Sequence, residues 1–123
     1  MKTETSSYFD IIIVNYNSTD CLIKCIRSLH DSLREMPATI FVQDNASCDN
    51  VDRILEYFPG ISLTKNNTNL GFASAVNQAL KKSSAPYLVL LNPDSFIVEG
   101  FFDSVLSYLK THPEIGIIGP KIL

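Results

Sequence analysis

The chain lacks an excess of positive charge. Its 123 residues include 10 Lys and Arg against 13 Asp and Glu, a formal net charge of −3 at pH 7. A protein that binds nucleic acid is expected to carry a stripe or patch of Lys and Arg, and the sequence has none. We therefore predict that nucleic acid is not a partner.

Long apolar runs are also missing. No stretch approaches the roughly 20 apolar residues of a membrane span, and the polar segment 1–8 lacks the apolar core of a secretory signal. Hydrophobic residues make up 46% of the chain and charged residues 19%, which is ordinary for a globular domain. We interpret residues 1–8 as a flexible N-terminus and residues 9–123 as one domain.

Cysteine is scarce. Cys21, Cys25 and Cys48 form an odd set without a CxxC pair, and no His or third Cys lies near Cys21 and Cys25 to complete a zinc site. We predict structural roles for them. An odd, unpaired set also fits a reducing compartment, so we expect a cytoplasmic protein.

Three common nucleotide- or phosphate-binding signatures are absent. Neither G-x-G-x-x-G after the first apolar run nor G-x-x-x-x-G-K-[ST] occurs, so dinucleotide-binding and P-loop interpretations are poorly supported. A phospho-accepting receiver domain would need an acidic pair after the first strand. This chain has Asn15, Tyr16 and Asn17 there, which excludes that class.

Short apolar runs alternate with amphipathic segments along the chain. The runs predict strands at 9–14, 38–43, 61–64, 87–91 and 115–118, and helical spacing predicts helices over 22–33, 51–58, 71–82 and 102–109. Strands separated by helices imply a mainly parallel sheet with right-handed crossovers. We predict an α/β fold, a Rossmann-like three-layer α/β/α sandwich. The uncharged run 87–91 is expected to be buried on both faces.

Polar side chains follow each of the first four strands. They are Asn15, Tyr16 and Asn17, then Asp44 and Asn45, then Asn66, Asn67 and Asn69, and last Asn92 and Asp94, and Gly71 follows the third group. Because the carboxyl ends of parallel strands share one edge, these groups are expected to converge on one crevice. Each segment alone has a plainer explanation: a turn, a cap of the following helix, or packing of the Tyr16 ring on the first helix.

The chemistry of these residues fits a nucleotide held through its base and its diphosphate. An aromatic ring at Tyr16 can stack on a base, and Asp44 can accept a hydrogen bond from a base N–H or a ribose hydroxyl. Gly71 at a helix start lets backbone N–H groups approach phosphate. A carboxylate at Asp94 can ligate Mg²⁺ or Mn²⁺ bridging two phosphates.

Five segments taken together carry a resemblance to a known family. They are 14–17 (VNYN), 42–49 (VQDNASCD), 69–77 (NLGFASAVN), 91–94 (LNPD) and 112–121 (HPEIGIIGPK). In order and rough spacing they resemble glycosyltransferase family 2, in particular its rhamnosyltransferase-like branch. The resemblance covers nearly the whole chain after residue 9 and implies the N-terminal, donor-binding part of a GT-A fold.

The resemblance also implies roles for individual residues. The substrate-binding positions are Asn15, Tyr16, Asn17, Asp44, Asn45, Asn69, Gly71, Phe72, Asn77 and Asn92. Among these, Asn15 and Tyr16 would line the base pocket and Asp44 would bond the base. Asp94 would be the metal-binding acid, and Asn92 stands where many relatives have another Asp.

The implied reaction is transfer of a sugar, with inversion, from a nucleotide-diphospho-sugar to an acceptor hydroxyl. The donor is expected to be UDP- or dTDP-linked, the acceptor a glycan or lipid-linked glycan of the cell surface, and the cofactor Mg²⁺ or Mn²⁺. A location against the inner membrane is expected for the full-length protein. The alternative is a non-catalytic nucleotide-sugar-binding or interaction module.

No catalytic base is identified within the chain. The resemblance implies a base beyond Leu123. Within the chain, His30 and His112 are poor substitutes, and we interpret Glu99 and Asp103 as surface residues. We interpret the chain as a fragment without the acceptor half. Missing elements would leave apolar surface exposed, so we expect self-association through residues 101–123.

Overall fold

The computed structural model describes residues 7–121, in which strands and helices alternate. The strands are β1 (Phe9–Asn15), β2 (Ala38–Asp44), β3 (Ser62–Lys65) and β4 (Tyr87–Leu91), and the helices are α1 (Thr19–Leu33), α2 (Arg53–Tyr57), α3 (Phe72–Leu80) and α4 (Phe101–Thr111). Of the predicted flexible segment, residues 1–6 lie outside the described residues. Tyr8 donates its backbone N–H to the carbonyl of Pro37 at 2.9 Å.

The four strands form one parallel sheet in the order β3-β2-β1-β4. The chain therefore builds outward from β1 through β2 to β3 and then returns to the other side of β1. In open α/β sheets such a reversal opens a crevice at the carboxyl ends of the two strands concerned, here β1 and β4. The predicted α/β fold with a parallel sheet is confirmed.

Helices cover both faces of the sheet because β1 is apolar on both. Ile11 and Ile13 point into the larger core, where α1, α2 and α4 pack. Ile12 points to the opposite face, where it meets Phe41 of β2 and Val76 of α3. Burying each such side chain contributes about 1.5–3 kcal/mol, so the central strand anchors all three layers. Within residues 7–121, no helix is both long and apolar enough to cross a membrane.

The prediction that 87–91 is buried on both faces is wrong. Tyr87, Val89 and Leu91 pack on the larger core, but Leu88 and Leu90 are 49% and 53% exposed. The reason is position: β4 is an edge strand, and α3 lies over β1 and β2. One face of β4 is therefore open.

The strand predicted at 115–118 does not form either. These residues have no regular structure, and the side chain of Ile117 is 94% exposed. Gly116 and Gly119 interrupt and follow the apolar run, and glycine disfavours strand conformation. The three isoleucines of this segment pair with no strand among residues 7–121, so nothing holds them extended.

A buried carboxylate joins β1 to the segment that leads into β4. Asp10 is buried at the amino end of β1, and its Oδ2 accepts hydrogen bonds from Ser83 Oγ at 2.8 Å, Ser84 N at 2.8 Å and Ala85 N at 2.9 Å. These bonds fix the connection between α3 and β4, and with it the lateral position of β4.

We expect Asp10→Ala to lower the free energy of unfolding by about 1.5–3 kcal/mol, because three donors then lose a charged acceptor. Urea denaturation measures the loss, with the exposed Asp31→Ala on α1 as the control. Equal midpoints for the two variants would show that the Asp10 contacts contribute nothing.

Candidate functional site

The polar segments that follow the strands meet at one edge of the sheet. The register sets Asn15 beside Asp44 and Asp44 beside Lys65, so β1, β2 and β3 end at nearly the same level. The loops 16–18, 45–52, 66–71 and 92–100 all leave this carboxyl edge. Residues far apart in the chain are thereby brought within contact of each other.

Asp44 is the most enclosed charged group at this edge. It is 2% exposed, its Oδ1 accepts hydrogen bonds from Asn15 Nδ2 at 3.0 Å and Ser47 Oγ at 2.7 Å, and its Oδ2 accepts one from Ser47 N at 3.0 Å. A carboxylate oxygen has two lone pairs, so Oδ2 retains an acceptor position. The alternative that Asp44 caps α2 is wrong, since that helix begins at Arg53 after Asp52 and has no side-chain cap.

The loop after β1 is held by the loop after β2. Asn17 adopts a left-handed conformation with φ 51°, which Asn tolerates better than most residues. Its backbone N–H donates to Ser47 Oγ at 2.8 Å, and its side-chain Oδ1 accepts from Cys48 N at 2.6 Å. Tyr16, which directly precedes Asn17, is 51% exposed, so about half of its surface is open to a ligand.

The start of α1 depends on a residue that the sequence analysis did not select. Asp49 accepts hydrogen bonds from the backbone N–H of Thr19 at 3.0 Å and from its hydroxyl at 2.8 Å. Ser18, the residue at the N-cap position, instead donates its hydroxyl to the Tyr16 carbonyl at 3.1 Å. Because Asp49 is 30 residues from Thr19 in the sequence, no local sequence pattern predicts this contact.

On the other side of β2, Asn45 holds the turn that begins α3. Its Nδ2 donates to the Gly71 carbonyl at 3.1 Å, and its Oδ1 accepts from Leu70 N at 3.3 Å and from Asn66 Nδ2 at 3.1 Å. Asn69 Oδ1 accepts from Gly71 N at 2.9 Å. Gly71 has φ 84°, a conformation that favours glycine and turns the chain into the helix.

The first residues of α3 are exposed at the end of this turn. Phe72, Ala73 and Ser74 have no intrahelical partners for their backbone N–H groups, because those groups belong to the first turn. They carry the partial positive charge of the helix N-terminus, a favourable setting for a phosphate. Phe72 is half-exposed beside them.

Asn77 lies away from this turn, whereas its neighbour Gln78 is part of it. Asn77 is exposed about 7 Å along the helix axis from Phe72, and its side chain makes no hydrogen bond with the described residues. Gln78 Oε1 accepts from Gln43 Nε2 and Asn66 Nδ2, each at 3.0 Å. The amide network under α3 therefore runs through Gln78, one position beyond the predicted residue.

Asn92 and Asp94 are both exposed after β4. The Asp94 carboxylate makes no hydrogen bond or ion pair with any residue in 7–121, while the Asn92 carbonyl accepts from Ser95 N at 3.1 Å. Within that range, no three His, Cys, Asp or Glu side chains form a metal-binding group. Asp94 thus stands as a single carboxylate with an amide nearby. Mg²⁺ suits such a donor set, because it usually binds one or two carboxylates together with substrate phosphates.

Cys25 lies directly beneath this turn. Its thiol is buried in α1 and donates a weak hydrogen bond to the Asn92 carbonyl at 3.8 Å. Burial, together with the negative charge of Asp94, raises the pKa of the Cys25 thiol from 9.0 to about 12. The contact ties the turn after β4 to α1 and so supports the predicted structural role of Cys25.

The other titratable candidates lie outside the strand-end cluster, by which we mean residues 15–18, 44–49, 66–71 and 92–94 at the carboxyl edge of the sheet. Glu99 pairs with Arg34, the residue after α1, at 2.6 Å. His30 stacks on Phe58 with ring centroids 5.2 Å apart, and His112 at the end of α4 lies with Nδ1 2.9 Å from the Tyr108 carbonyl. Asp103 is exposed on α4. These positions support their interpretation as surface residues.

We expect iodoacetamide to modify Cys21 and Cys48, which are exposed, and to spare Cys25 until the protein unfolds. The pKa of the Cys25 thiol is about 9 in the unfolded chain and about 12 in the folded one. The contribution of the protonated thiol to the free energy of unfolding is therefore complete below pH 9 and is lost as the pH rises toward 12. Mass spectrometry of native and urea-unfolded samples measures the labelling. Equal rates at all three cysteines in the native protein would contradict the burial of Cys25.

Known proteins share both the sequence pattern and the fold. Residues 10–122 match the family model for glycosyl transferase family 2. N-acetylglucosaminyl-diphospho-decaprenol L-rhamnosyltransferase of Mycobacterium tuberculosis is 25% identical, over 91% of this chain and 40% of the relative. The minor teichoic acid biosynthesis protein GgaB of Bacillus subtilis is 29% identical, over 99% of this chain and 14% of the relative. The chain thus spans 40% of the length of the first of these.

Among solved structures, S. aureus TarS 1–349 in complex with UDP-GlcNAc superposes with a TM-score of 0.76 at 21% identity, covering 85% of this chain and 32% of that one. Mannosyltransferase PcManGT from Pyrobaculum calidifontis, in complex with GDP-Man and Mn²⁺, gives 0.71 at 20% identity, covering 83% and 32%. The family match and these folds confirm the resemblance seen in the sequence. The chain belongs to glycosyltransferase family 2 and has the α/β fold of GT-A glycosyltransferases.

Proposed function

We propose that the carboxyl edge of the sheet binds a nucleotide-diphospho-sugar, and that this chain is the donor-binding part of an inverting, metal-assisted glycosyltransferase. The observation that carries the proposal is the placement of three kinds of group at one edge. The buried Asp44 is linked through Ser47 to the loop of the exposed Tyr16, and a helix start follows Gly71. The Asp94 carboxylate has no hydrogen-bond or ion-pair partner among residues 7–121. A nucleotide base needs the acceptor and the aromatic ring, a diphosphate needs the helix start, and a divalent cation needs the free carboxylate.

The base would bind on the β1 side of the edge. The remaining acceptor position of Asp44 Oδ2 suits a base that presents a ring N–H, as uracil and thymine do, while Tyr16 would stack on the base. Asn15, which is 0% exposed, would act by orienting Asp44. Guanine also presents a ring N–H, so the choice of UDP- and dTDP-linked sugars as the proposed donors rests on the family resemblance, and support comes from TarS, a structure of which is in complex with UDP.

The diphosphate would lie between the start of α3 and Asp94. The N–H groups of Phe72, Ala73 and Ser74 would face its oxygens. A Mg²⁺ or Mn²⁺ ion would be held by Asp94, with Asn92 beside it, and when bound it would neutralise charge on the leaving diphosphate. Because Asn92 replaces a possible second carboxylate, we expect weak metal affinity in the absence of nucleotide. PcManGT, in complex with Mn²⁺, supports the use of a metal.

The proposed reaction is a single displacement at the anomeric carbon. The acceptor oxygen forms the new bond, the bond to the diphosphate oxygen breaks, and a general base takes the acceptor proton. Asp44 and Asp49 are already engaged with Ser47 and Thr19, and Asp94 is assigned to the metal. We therefore propose that a segment outside these 123 residues supplies the base and that this chain alone binds donor without turnover.

The names of the relatives support a proposal for the acceptor and the location. A decaprenol-linked rhamnosyltransferase and a teichoic acid biosynthesis protein support a glycan or lipid-linked glycan acceptor in cell-surface polysaccharide synthesis. A cytoplasmic site against the inner membrane suits such an acceptor. The second candidate is a nucleotide-sugar-binding module without turnover. It is favoured because, at the strand ends described in residues 7–121, Asp44 and Asp49 are engaged by Ser47 and Thr19 and Asp94 is assigned to the metal, which leaves no carboxylate for the base.

We expect UDP or dTDP to raise the melting temperature of the chain more strongly with Mn²⁺ than without it. A nucleotide at 100 times its dissociation constant should add about 2.7 kcal/mol of stability. The thermal-shift screen compares UDP, dTDP, GDP and CDP, each with and without Mn²⁺. Asp94→Ala should lose only the metal-dependent part of the shift, and Asp44→Ala should lose the whole of it.

The control for this screen is Asp103→Ala, which removes an exposed carboxylate on α4 and should leave every shift unchanged. A shift that survives both Asp44→Ala and Asp94→Ala would place the nucleotide elsewhere. No shift with any nucleotide would overturn donor binding by this chain.

We also propose self-association through residues 101–123. Ile117 is the most exposed large apolar side chain of the described part of that region, and replacing it with Lys should weaken association. Sedimentation velocity over a range of concentrations measures the effect, with Leu88→Lys on the open face of β4 as the comparison. A monomer at all concentrations contradicts the proposal, and loss of association in Leu88→Lys alone would assign the contact to β4.

A further inference from the structure

The hydroxyl of Ser47 makes three contacts within the strand-end cluster. Its Oγ donates to Asp44 Oδ1 at 2.7 Å and accepts from Asn17 N at 2.8 Å, and Asn15 Nδ2 approaches it at 3.4 Å. A hydroxyl offers one donor and two lone pairs, so these three contacts use all of its capacity. Ser47 therefore has nothing left to offer a nucleotide directly.

The two groups that Ser47 connects are the two that would meet the base. On one side it holds the carboxylate of Asp44 through both its hydroxyl and its backbone N–H. On the other it holds the backbone next to Tyr16, the exposed aromatic residue of the loop after β1. Ser47 thus links Asp44 to the residue after Tyr16 through one hydroxyl, while Asn15 Nδ2 links Asp44 to the residue before Tyr16.

One neighbouring contact also reaches Asp44: Asn15, at the end of β1 and directly before Tyr16, donates its Nδ2 to Asp44 Oδ1 at 3.0 Å. Asn17 Oδ1 binds Cys48 N and steadies the loop, but it does not touch Asp44. Asp49 binds Thr19 and fixes the start of α1. Among the described residues, Ser47 is the one whose side chain contacts both Asp44 and the loop of Tyr16 after residue 15.

We propose that Ser47 is a positioning residue for the base, setting the Asp44 carboxylate and the Tyr16 ring at the separation at which one base meets both. This rests on the proposed function, since it assigns Ser47 to the base side of the donor site. Loss of the hydroxyl then weakens recognition of the nucleoside part of the donor and leaves the metal and diphosphate side intact.

The chain offers a matched control at the opposite end of the sheet. Ser83 Oγ donates to the buried carboxylate of Asp10 at 2.8 Å, the same kind of bond that Ser47 makes to Asp44. Ser83→Ala therefore removes a serine hydroxyl from a buried aspartate without touching the strand-end cluster. General loosening of the fold would affect both variants alike.

The experiment is calorimetric titration of the wild-type chain, Ser47→Ala, Ser47→Thr and Ser83→Ala with UMP, dTMP, GMP and CMP. We expect Ser47→Ala to bind the preferred monophosphate about tenfold more weakly or worse, Ser83→Ala to bind it as wild type, and Ser47→Thr to recover most of the loss. In parallel titrations with UDP, dTDP, GDP and CDP, the ratio of affinities with and without Mn²⁺ should be the same in wild type and Ser47→Ala.

Three results overturn the positioning role: monophosphate affinity within twofold of wild type in Ser47→Ala, an equal loss in Ser83→Ala, or no recovery in Ser47→Thr. A fall in the Mn²⁺ ratio would also overturn it, because Ser47 would then act on the metal side. A wild-type chain that binds none of the eight nucleotides overturns the proposed function itself, and the role of Ser47 with it.

Discussion

Two consecutive side chains at the end of β2 hold the carboxyl edge of this sheet together. Successive residues of a strand point to opposite faces. Asp44 therefore reaches toward the loop after β1, where it binds Asn15 and Ser47. Asn45 reaches toward the loop before α3, where it binds the Leu70 N–H and the Gly71 carbonyl. The loop after β1 and the turn that begins α3 are thus tied to the same strand end, so neither can shift without the other.

Two of the buried amide side chains near the carboxyl edge lower the stability of the fold. Asn15 Oδ1 and Gln43 Oε1 are buried and accept no hydrogen bond from the described residues, a cost of about 1–3 kcal/mol for each such group. An apolar strand end would avoid that cost but would present no polar group to a ligand. The loss of stability from partly hydrogen-bonded amides thus accompanies a polar site that is already formed before a ligand binds.

The fold was predictable because its signals are local. The runs of β1 and β4 end on polar residues, and apolar residues recur at helical spacing between the strands, so a parallel α/β sheet followed from pattern alone. The open face of β4 was missed because burial depends on which strands α3 covers, and that is a tertiary fact.

The strand ends were identified from the sequence, but the division of labour among their side chains was not. Asn17 and Asn45 were selected as substrate-binding residues, yet the structure engages their side chains with the backbone of neighbouring loops. Gln78 and Asp49 were missed because their partners come from other elements, beyond the reach of helical or strand periodicity.

The strand order also fixes the sequence in which the site is assembled as the chain is synthesised. β2 pairs with β1 after a single intervening helix, whereas β4 reaches β1 only after three helices and two strands have been made. Contacts between distant segments form slowly, since the intervening loop must close first. On the ribosome, β1 and β2 are therefore made before the turn that carries Asp94 is translated, and β4 is the last of the four described strands to be made.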